Sequence, residues 1–348
     1  MRTPLAIIFL LFSVSVFSQI SVNETHNGGL EKVSEENFER FKNSKTIFIL
    51  SNAYETDVYK KILDESWSVT PYVIVNIEDF DVHNYLCDSY SFVDINTINK
   101  PVYKADGKLG SDFLYLNLDT FIYNVDKVKK KLAKLKNNKK KKSKIKDILD
   151  HNRIRIARIY LSLDYKSFSD TVIENPDFYA NEDNFKHLIY SKNIFNNYKP
   201  GFLKNYLQKV NNLLVSGESY SMYKDDYLPE LKELSTKKLY IPEHLGLKLT
   251  DFIHQKDIET VKEKRLKKIF EKYEFDYEII DAEKLSHKII NDEELYYARY
   301  HQNNTEGFFQ ITNSKTGEVI YRDYLAGLSP NLKAKQVKKL VKSIKKSN

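Results

Sequence analysis

The sequence predicts a mixed α/β protein built from two tandem, three-layer-like α/β units that helices join. Short apolar runs rich in β-branched residues alternate with amphipathic helical stretches, the pattern of an α/β fold. This alternation occurs over residues 36–225 and recurs over 232–348, which predicts a mixed sheet in each unit. The 348 residues include only 10 glycines and 8 prolines, which argues against a repeat-rich all-β chain.

The first unit begins with a buried strand. The run TIFILS (Thr46–Ser51) is apolar and β-branched, as in a strand covered on both faces. The stretch YETDVYKKILDESW has helical spacing and acidic residues near its start, where the helix dipole favours them. PYVIVNI and YSFVDI predict two further strands, and DFLYLNLD (Asp112–Asp119) alternates as a half-buried strand does.

The second unit repeats this order. KKLYIPE (Lys237–Glu243), DYEIID and ELYYARY predict strands, and IETVKEKRLKKIFEKY predicts a helix with one apolar face. GFFQITNSKTGEVIYRDY predicts a hairpin that turns at Asn313–Gly317. A lysine-rich amphipathic helix over Leu332–Ile344 is predicted to close the chain.

An alignment of the two units favours an internal repeat. A shift of 205 positions places Tyr72 against Tyr277 and Phe92 against Tyr297. Asn76 and Asp281 also align, and each is predicted to cap a helix that follows a strand. The alternative is that strand-to-helix junctions look alike whatever their origin.

A helical bridge is predicted to lie between the units. KIKDILDHNRIRIARIYLSLD fits either a helical stripe or an alternating strand, and we favour a helix that turns into a strand near Ile159. The stretch NFKHLIYSKNIFNNYKPGFLKNYLQKVNNLLV predicts helices interrupted at Pro200-Gly201.

The N-terminus predicts export. Arg2 precedes an apolar run, Leu5–Phe12, and a small-residue cleavage site follows, so residues 1–18 read as a signal peptide that leaves Gln19 first. The alternative is an uncleaved anchor. Residues 19–35 are polar and predicted to be flexible, and no later stretch is apolar enough to cross a bilayer. The expected location is the periplasm, the cell surface or the exterior.

The sequence gives little support for thiol chemistry, metal binding or nucleotide binding. Cys87 is the only cysteine, so no disulfide can form within the chain and paired-thiol redox chemistry is excluded. His83 lies four residues before it, but a lone cysteine is more often a small buried residue. His244 and His254 are ten residues apart, and neither a metal motif nor a nucleotide-binding glycine pattern occurs. We therefore expect no metal and no cofactor.

One polar cluster follows the strand PYVIVNI. Glu78, Asp79, Asp81 and His83 lie where an open α/β sheet can bind ligands, and Asp79, Asp81 and His83 are the weak candidates for catalysis. The alternative is a helix start whose acidic residues favour the dipole. The second reading is favoured, so no catalytic residue is predicted firmly.

A lysine-rich stretch dominates the charge. Twelve lysines lie within Lys127–Lys146, so the net charge of +7 leaves −5 for the rest of the chain. We predict an insert, residues 124–150, in the first unit. Its alternatives are a solvated hairpin, which is favoured, contact with an anionic lipid or glycan surface, and nucleic-acid binding, which is disfavoured because arginine and aromatic residues are absent. The candidate surface lysines are Lys129, Lys130, Lys131, Lys139, Lys140, Lys141 and Lys142.

In the order of several short motifs, this sequence resembles uncharacterised exported proteins of Bacteroidota. The similarity rests on Trp67 with Thr70-Pro71-Tyr72, Tyr90-Ser91-Phe92, Asp164–Ser167, and Leu239-Tyr240. The resemblance implies export and two α/β units, and it implies no activity. The lysine-rich stretch departs from that pattern.

The sequence thus favours a non-catalytic binding or structural component of a bacterial envelope or surface. Its partner would be an envelope protein or an anionic glycan or lipid surface. The first alternative is an enzyme with a site near Glu78–His83, and the second is a protein that binds anionic surfaces through its lysines.

Overall fold

The fold is mixed α/β, as the sequence predicts, and two mixed sheets form its framework. A computed structural model describes residues 20–26, 30–103, 109–135, 141–175, 182–221, 225–248, 251–252, 257–302, 306–326 and 331–348. No helix within these ranges combines the length and the apolar character needed to cross a membrane.

The strands are β1 (Ile20–Val22), β2 (Glu24–His26), β3 (Leu30–Lys32), β4 (Lys45–Ile49), β5 (Tyr72–Ile74), β6 (Tyr90–Tyr103), β7 (Leu109–Tyr123), β8 (Arg153–Leu161), β9 (Tyr220–Ser221), β10 (Asp226–Tyr227), β11 (Leu239–Pro242), β12 (Tyr277–Ile280), β13 (Tyr296–Gln302), β14 (Glu306–Asn313) and β15 (Val319–Ala326).

The α-helices are α1 (Glu35–Lys42), α2 (Thr56–Ser66), α3 (Val125–Leu132), α4 (Lys141–Asp150), α5 (Tyr165–Phe168), α6 (Glu182–Ser191), α7 (Pro200–Ser216), α8 (Ile258–Phe270), α9 (Ala282–Ile290) and α10 (Ala334–Ser347). A π turn over Ser169–Ile173 extends α5. Short 3₁₀ segments cover Val82–Tyr85, Pro229–Ser235 and Glu243–Gly246.

The two sheets share a common topology. The first has seven strands in the order β5-β4-β6-β7-β8-β1-β9, and the second has six in the order β12-β11-β13-β14-β15-β10. In each, three parallel strands come first, β5, β4 and β6 or β12, β11 and β13, and antiparallel strands follow. Five strands of one sheet therefore match five of the other in order and direction.

The shift of 205 positions fits the register of two of the three parallel strands. Thr46 of β4 lies beside Tyr72 and Ser91, and Leu239 of β11 lies beside Tyr277 and Tyr296. The shift of 205 positions that aligns Tyr72 with Tyr277 also aligns Ser91 with Tyr296. The same shift relates two strands of each sheet, but it does not relate β4 to β11, because Thr46 and Leu239 are 193 positions apart.

The connection between the last two matched strands differs between the units. In the second unit a tight turn over residues 314–318 joins β14 to β15, and Gly317 adopts a positive φ of 70° there. In the first unit residues 124–152, with α3 and α4, join β7 to β8. The lysine-rich stretch therefore lies in a long connection, whereas the second sheet closes the matching connection with a tight turn.

The N-terminal segment differs from the sequence prediction. Within residues 19–35, predicted to be flexible, Ile20 and Val22 are fully buried. They form β1, which pairs with β8 on one side and β9 on the other, so the first sheet extends beyond the predicted start of its unit at residue 36. The alternation of Ile20, Ser21 and Val22 suits a strand, because both apolar side chains point to the same face.

Two further boundaries differ. The strand predicted to begin near Ile159 begins at Arg153, three positions after the end of α4 at Asp150. Asp281 caps α9 as predicted, since its Oδ1 accepts hydrogen bonds from the backbone N–H groups of Glu283 and Lys284. Asn76 caps no helix, because a turn and a 3₁₀ segment follow β5, and Asp81 caps that segment instead.

Helix α7 connects the two units. Gly201 N–H donates to Ser286 Oγ of α9 at 2.9 Å, while Asn211 Oδ1 accepts from the backbone N–H of Ser68, just after α2, at 2.8 Å. The buried Lys204 ammonium pairs with Glu65 at 2.7 Å and with Asp292 at 2.6 Å. Because these partners lie in different units, α7 fixes one unit against the other.

The apolar core follows this arrangement. One cluster of buried side chains joins the first sheet, α2, α6 and α7 to α9 and one face of the second sheet. A second cluster lies on the opposite face of the second sheet, under α8, α10 and the 3₁₀ segment Pro229–Ser235. The units therefore share the larger core.

We predict that Gly201→Ala destabilises the protein. A Cβ at this position would lie 2.5 Å from Ser286 O and 2.9 Å from Ile289 Cβ, so α7 and α9 would have to separate. The free energy of unfolding should fall by about 1–3 kcal/mol in chemical denaturation. Asn212→Ala, on the exposed side of the same helix, is the control and should leave stability nearly unchanged. Equal stability of both variants would contradict the close packing.

Candidate binding site

A crevice lies where the strand order of the second sheet reverses. Strand β11 leads through α8 to β12 on one side, and the chain then returns through α9 to β13 on the other side of β11. Ligands of open α/β sheets bind at this point, outside the carboxyl ends of the strands. Here His244 follows β11, His301 and Gln302 end β13, and a cavity of about 370 Å³ opens between them.

The first unit supplies the opposite wall of this crevice. Tyr115 and Tyr160 come from β7 and β8, and the segment after β8 contributes Ser162 and Tyr165. The remaining lining residues are Leu116, Leu161, Leu163, Phe168, Asn196, Asn197, Leu245, Leu247, Lys248, Arg265, Ile269, Tyr300, Asn331 and Leu332. A molecule in the crevice would thus contact both units.

A hydrogen bond crosses the crevice between Ser162 and His301. Ser162 Oγ and His301 Nδ1 are 2.5 Å apart. The Asn197 side chain holds Ser162 in place by accepting its backbone N–H at 2.8 Å. The His301 ring lies between those of Tyr160 and Phe308, with centroid distances of 5.6 Å and 6.2 Å. His301 is therefore fixed by aromatic packing and by one polar contact with the first unit.

Both crevice histidines are neutral at pH 7. Burial lowers the pKa of His301 to about 3. Burial, with the nearby Lys199 charge as a smaller cause, lowers the pKa of His244 to about 4. A neutral imidazole offers one donor and one acceptor, so each ring can hydrogen-bond a ligand without carrying a charge.

Four polar atoms of the lining are buried without a partner. His301 Nε2, His244 Nδ1, Tyr300 Oη and Gln302 Oε1 find no hydrogen-bond partner within the part of the chain that the structure describes. Buried polar groups are nearly always hydrogen-bonded, and an unmet one costs about 1–3 kcal/mol. Because these four atoms lie in one crevice, a bound ligand could supply the hydrogen-bond partners that they lack.

The lining carries basic but no acidic residues. Arg265 makes a two-pronged ion pair with the buried Asp251, at 2.6 Å and 2.9 Å, and also donates to Gly246 O. Lys248 lies beside this pair on the lining, and none of the described residues that line the crevice is Asp or Glu. A cationic ligand would meet no compensating charge there.

The Ser162–His301 pair is poorly arranged for nucleophilic catalysis. A catalytic histidine is usually oriented by a third group on its second nitrogen, whereas His301 Nε2 has no partner among the described residues. Its lowered pKa also makes it a weak base at neutral pH. The pair is suited to positioning and binding.

The matching position in the first unit is closed. The carboxyl end of β4, which lies beside Asp94 of β6, corresponds to the carboxyl end of β11, and Tyr190 from α6 packs there. Its hydroxyl accepts from Ile95 N–H at 2.9 Å and donates to Ile95 O at 3.1 Å, and its backbone carbonyl accepts from Asn52. Only the second of the two related positions is therefore open.

The residues predicted from sequence lie elsewhere. Glu78, Asp79, Asp81 and His83 are exposed after β5, which is an edge strand and not the reversal point. Asp81 Oδ1 accepts the His83 backbone N–H at 3.0 Å, a local cap. Neither cavity described here is lined by them. Cys87, four residues from His83, is half-buried, and the 3₁₀ segment between them ends at Tyr85.

The candidate lysines are only partly described. Lys129, Lys130 and Lys131 are exposed on α3. Lys139 and Lys140 fall outside the described residues, and Lys141 and Lys142 belong to α4 without a described side chain. His244 lies in the crevice, whereas His254 falls outside the described residues.

Sequence reasoning missed the crevice residues because they are far apart in the chain. Ser162 and His301 are 139 positions apart, so no local motif contains both. Each lies at or just beyond the end of a strand that the sequence does predict. The rule that ligands bind at the carboxyl ends of strands, where the strand order reverses, could have pointed to this crevice if it had been applied to the second unit as well as to the first.

A second cleft of about 330 Å³ is lined by Glu243, Glu259, Thr260, Lys262, Glu263 and Ile279. Lys262 already pairs there with Glu243 at 2.9 Å and Glu259 at 2.6 Å, so its charges are largely satisfied. Among the described residues, no group of three or more His, Cys, Asp or Glu side chains is placed to hold a metal ion.

Comparison with known proteins returns no match: no family model, no curated protein and no solved structure is similar to this chain.

We predict that His301 makes stability depend on pH below neutrality. An unfolded histidine binds a proton near pH 6.5, whereas His301 binds one only near pH 3. Between these values the unfolded state holds more protons, so stability falls as the pH is lowered. From pH 7 to pH 5 the wild type should lose about 2 kcal/mol more than His301→Phe in urea denaturation.

His83→Gln, at an exposed histidine, is the control and should keep the wild-type slope. A His301→Phe variant with the wild-type slope would show that His301 is not buried in its neutral form.

Proposed function

We propose that this chain is a non-catalytic binding protein that holds a small organic molecule in the crevice between its two α/β units. The observation that carries the proposal is the group of unmet polar atoms on His244, Tyr300, His301 and Gln302 at the reversal point of the second sheet. A crevice of about 370 Å³ falls in the usual size range of small-molecule sites.

The lining indicates the chemistry of the ligand. Rings of Tyr115, Tyr160, Tyr165, Phe168 and Tyr300 favour a ligand with a flat apolar face. Neutral histidines and amides favour hydroxyl, carbonyl or amide groups on the same ligand. Because the lining has basic and no acidic residues, the ligand should be neutral or anionic at pH 7.

Both units contribute to the crevice. Ser162 and Asn197 belong to the first unit, whereas His301 and Tyr300 belong to the second. A bound molecule would therefore add contacts across the unit interface and would stabilise the folded chain as a whole. In the cell, we propose, the protein acts as a component of a bacterial envelope or surface.

The expected ligand can be sought by thermal unfolding against a panel of neutral sugars, small carboxylates and amines. Neutral or anionic members should raise the melting temperature, and amines should not. Tyr300→Phe removes one unmet hydroxyl and should weaken binding of a hit about three- to tenfold by calorimetry. Stabilisation by amines alone would overturn the charge argument, and no stabilisation by any class would count against the binding function.

The double variant Asp79→Asn with Asp81→Asn is the matched control. These exposed carboxylates lie outside the crevice, so ligand affinity should match the wild type. If the double variant loses binding or a turnover found in the same screen, while Tyr300→Phe retains it, the alternative of an enzyme site near Glu78–His83 would replace this proposal.

Export is part of the proposal. The predicted cleavage after Ser18 would leave Gln19 one residue before β1, whose Ile20 is fully buried. N-terminal sequencing of the protein recovered from the envelope or medium of a bacterial host should therefore begin at Gln19. A chain that stays in the cytoplasm with Met1 intact would overturn the proposal of export.

A further inference from the structure

Residues 125–150, here called the lysine hairpin, contain α3 and α4 and belong to the connection between β7 and β8. The second sheet closes the matching connection with residues 314–318 alone. The lysine hairpin is therefore not required to complete the sheet, and a role for it must be sought on its surface.

The lysine hairpin directs its apolar side toward the protein. Val125 and Val128 are buried, and Ile148 and Leu149 pack against the larger core. Asn124 caps α3 by accepting the Lys127 backbone N–H. With the apolar edge buried in this way, the lysines of α3, together with Lys144 and Lys146 of α4, remain on the outside.

The exposed lysines of this hairpin lack acidic partners. Lys127, Lys129, Lys130, Lys134 and Lys144 are exposed, and none forms an ion pair with a described residue. Some exposed lysines elsewhere are paired, as Lys60 is with Asp64, and others, such as Lys264 and Lys268, are not paired with a described residue. What distinguishes the hairpin is that its unpaired lysines follow one another at close spacing within a segment that holds twelve lysines. The unpaired positive charges on α3 repel one another at helical spacing, so the free protein carries a cost that an anionic partner would relieve.

We propose that the lysine hairpin docks the protein on a bilayer surface that contains anionic phospholipid. Lysine presents a flexible point charge and suits a surface of mobile headgroups, whereas shape-specific recognition of phosphates or bases relies on arginine and aromatic side chains. Residues 125–150 contain neither type. Neither of the two described cavities is lined by a described residue of the hairpin.

This docking leaves the crevice free. Strand β7 passes from Tyr115 and Leu116, on the crevice, to Tyr123, directly before the hairpin. Seven residues of extended strand span about 23 Å. The hairpin thus joins β7 and β8 at one end, whereas the crevice lies at the far end of β8 and beside the middle of β7. The inference does not depend on the proposed ligand.

The test uses the chain from Gln19, whose described structure begins at Ile20. Sedimentation with vesicles of phosphatidylcholine alone, or with one quarter phosphatidylglycerol, measures binding. We expect binding to the anionic vesicles only, weakening as NaCl rises. Replacing Lys127, Lys129, Lys130, Lys134 and Lys144 by Gln should weaken it about tenfold or more.

The matched control replaces five exposed lysines outside the hairpin, Lys60, Lys166, Lys264, Lys267 and Lys268, by Gln. It changes the net charge equally and should retain binding within about twofold of the wild type. Equal losses in both variants would reduce the effect to net charge and overturn the proposal, as would absence of binding to anionic vesicles. Hairpin-dependent retention on heparin or duplex DNA, without vesicle binding, would replace the bilayer by a soluble polyanion.

Discussion

The packing of α7 between the two units is the constraint on which the rest of the structure depends. Lys204 is nearly fully buried, yet its ammonium holds Glu65 of the first unit and Asp292 of the second. A buried cation that lost either carboxylate would be left poorly compensated, so the two units are held in one arrangement. Asn205 adds to this by accepting the Tyr297 hydroxyl and donating to Ser314 O. The crevice exists because this arrangement brings the end of β8 opposite the end of β13.

The two sheets share a topology but differ at the point where the strand order reverses, which is closed in the first unit and open in the second. Five strands of each sheet share one order and one set of directions. In the first unit Tyr190 and the helices after β8 close the reversal point, and the unit instead carries a buried ionic network in which Asp119 binds Arg155 and Arg158. The two arginines hold the pKa of Asp119 at about 2 against the effect of burial. The second unit leaves the same position open.

Much of the fold could be predicted from sequence, because the hydrophobic periodicity of strands and helices, and the residues that form turns, depend on neighbours in the chain. The strands at Thr46, Leu239 and Tyr277, the hairpin at Asn313–Gly317 and the Asp281 cap follow from neighbouring residues alone. Strand β1 could not be recognised, because three residues carry too little pattern and their burial depends on β8 and β9. The crevice escaped for a related reason: His301 looks like one more residue of a tyrosine-rich strand until Ser162 is placed beside it. The exposed cluster at Glu78–His83 drew interest instead because its residues are adjacent in sequence.

Strand β1 also has a consequence for the order of assembly. Ile20 and Ser21 leave the ribosome early, yet their partners are Ile159 and Ser221, which follow much later. The first sheet therefore cannot be completed until most of the first unit has been synthesised, and such distant pairings form slowly. A chain that is slow to close this sheet stays unfolded for longer after synthesis. That delay fits the proposed export, since a polypeptide is threaded through a secretion channel before it folds.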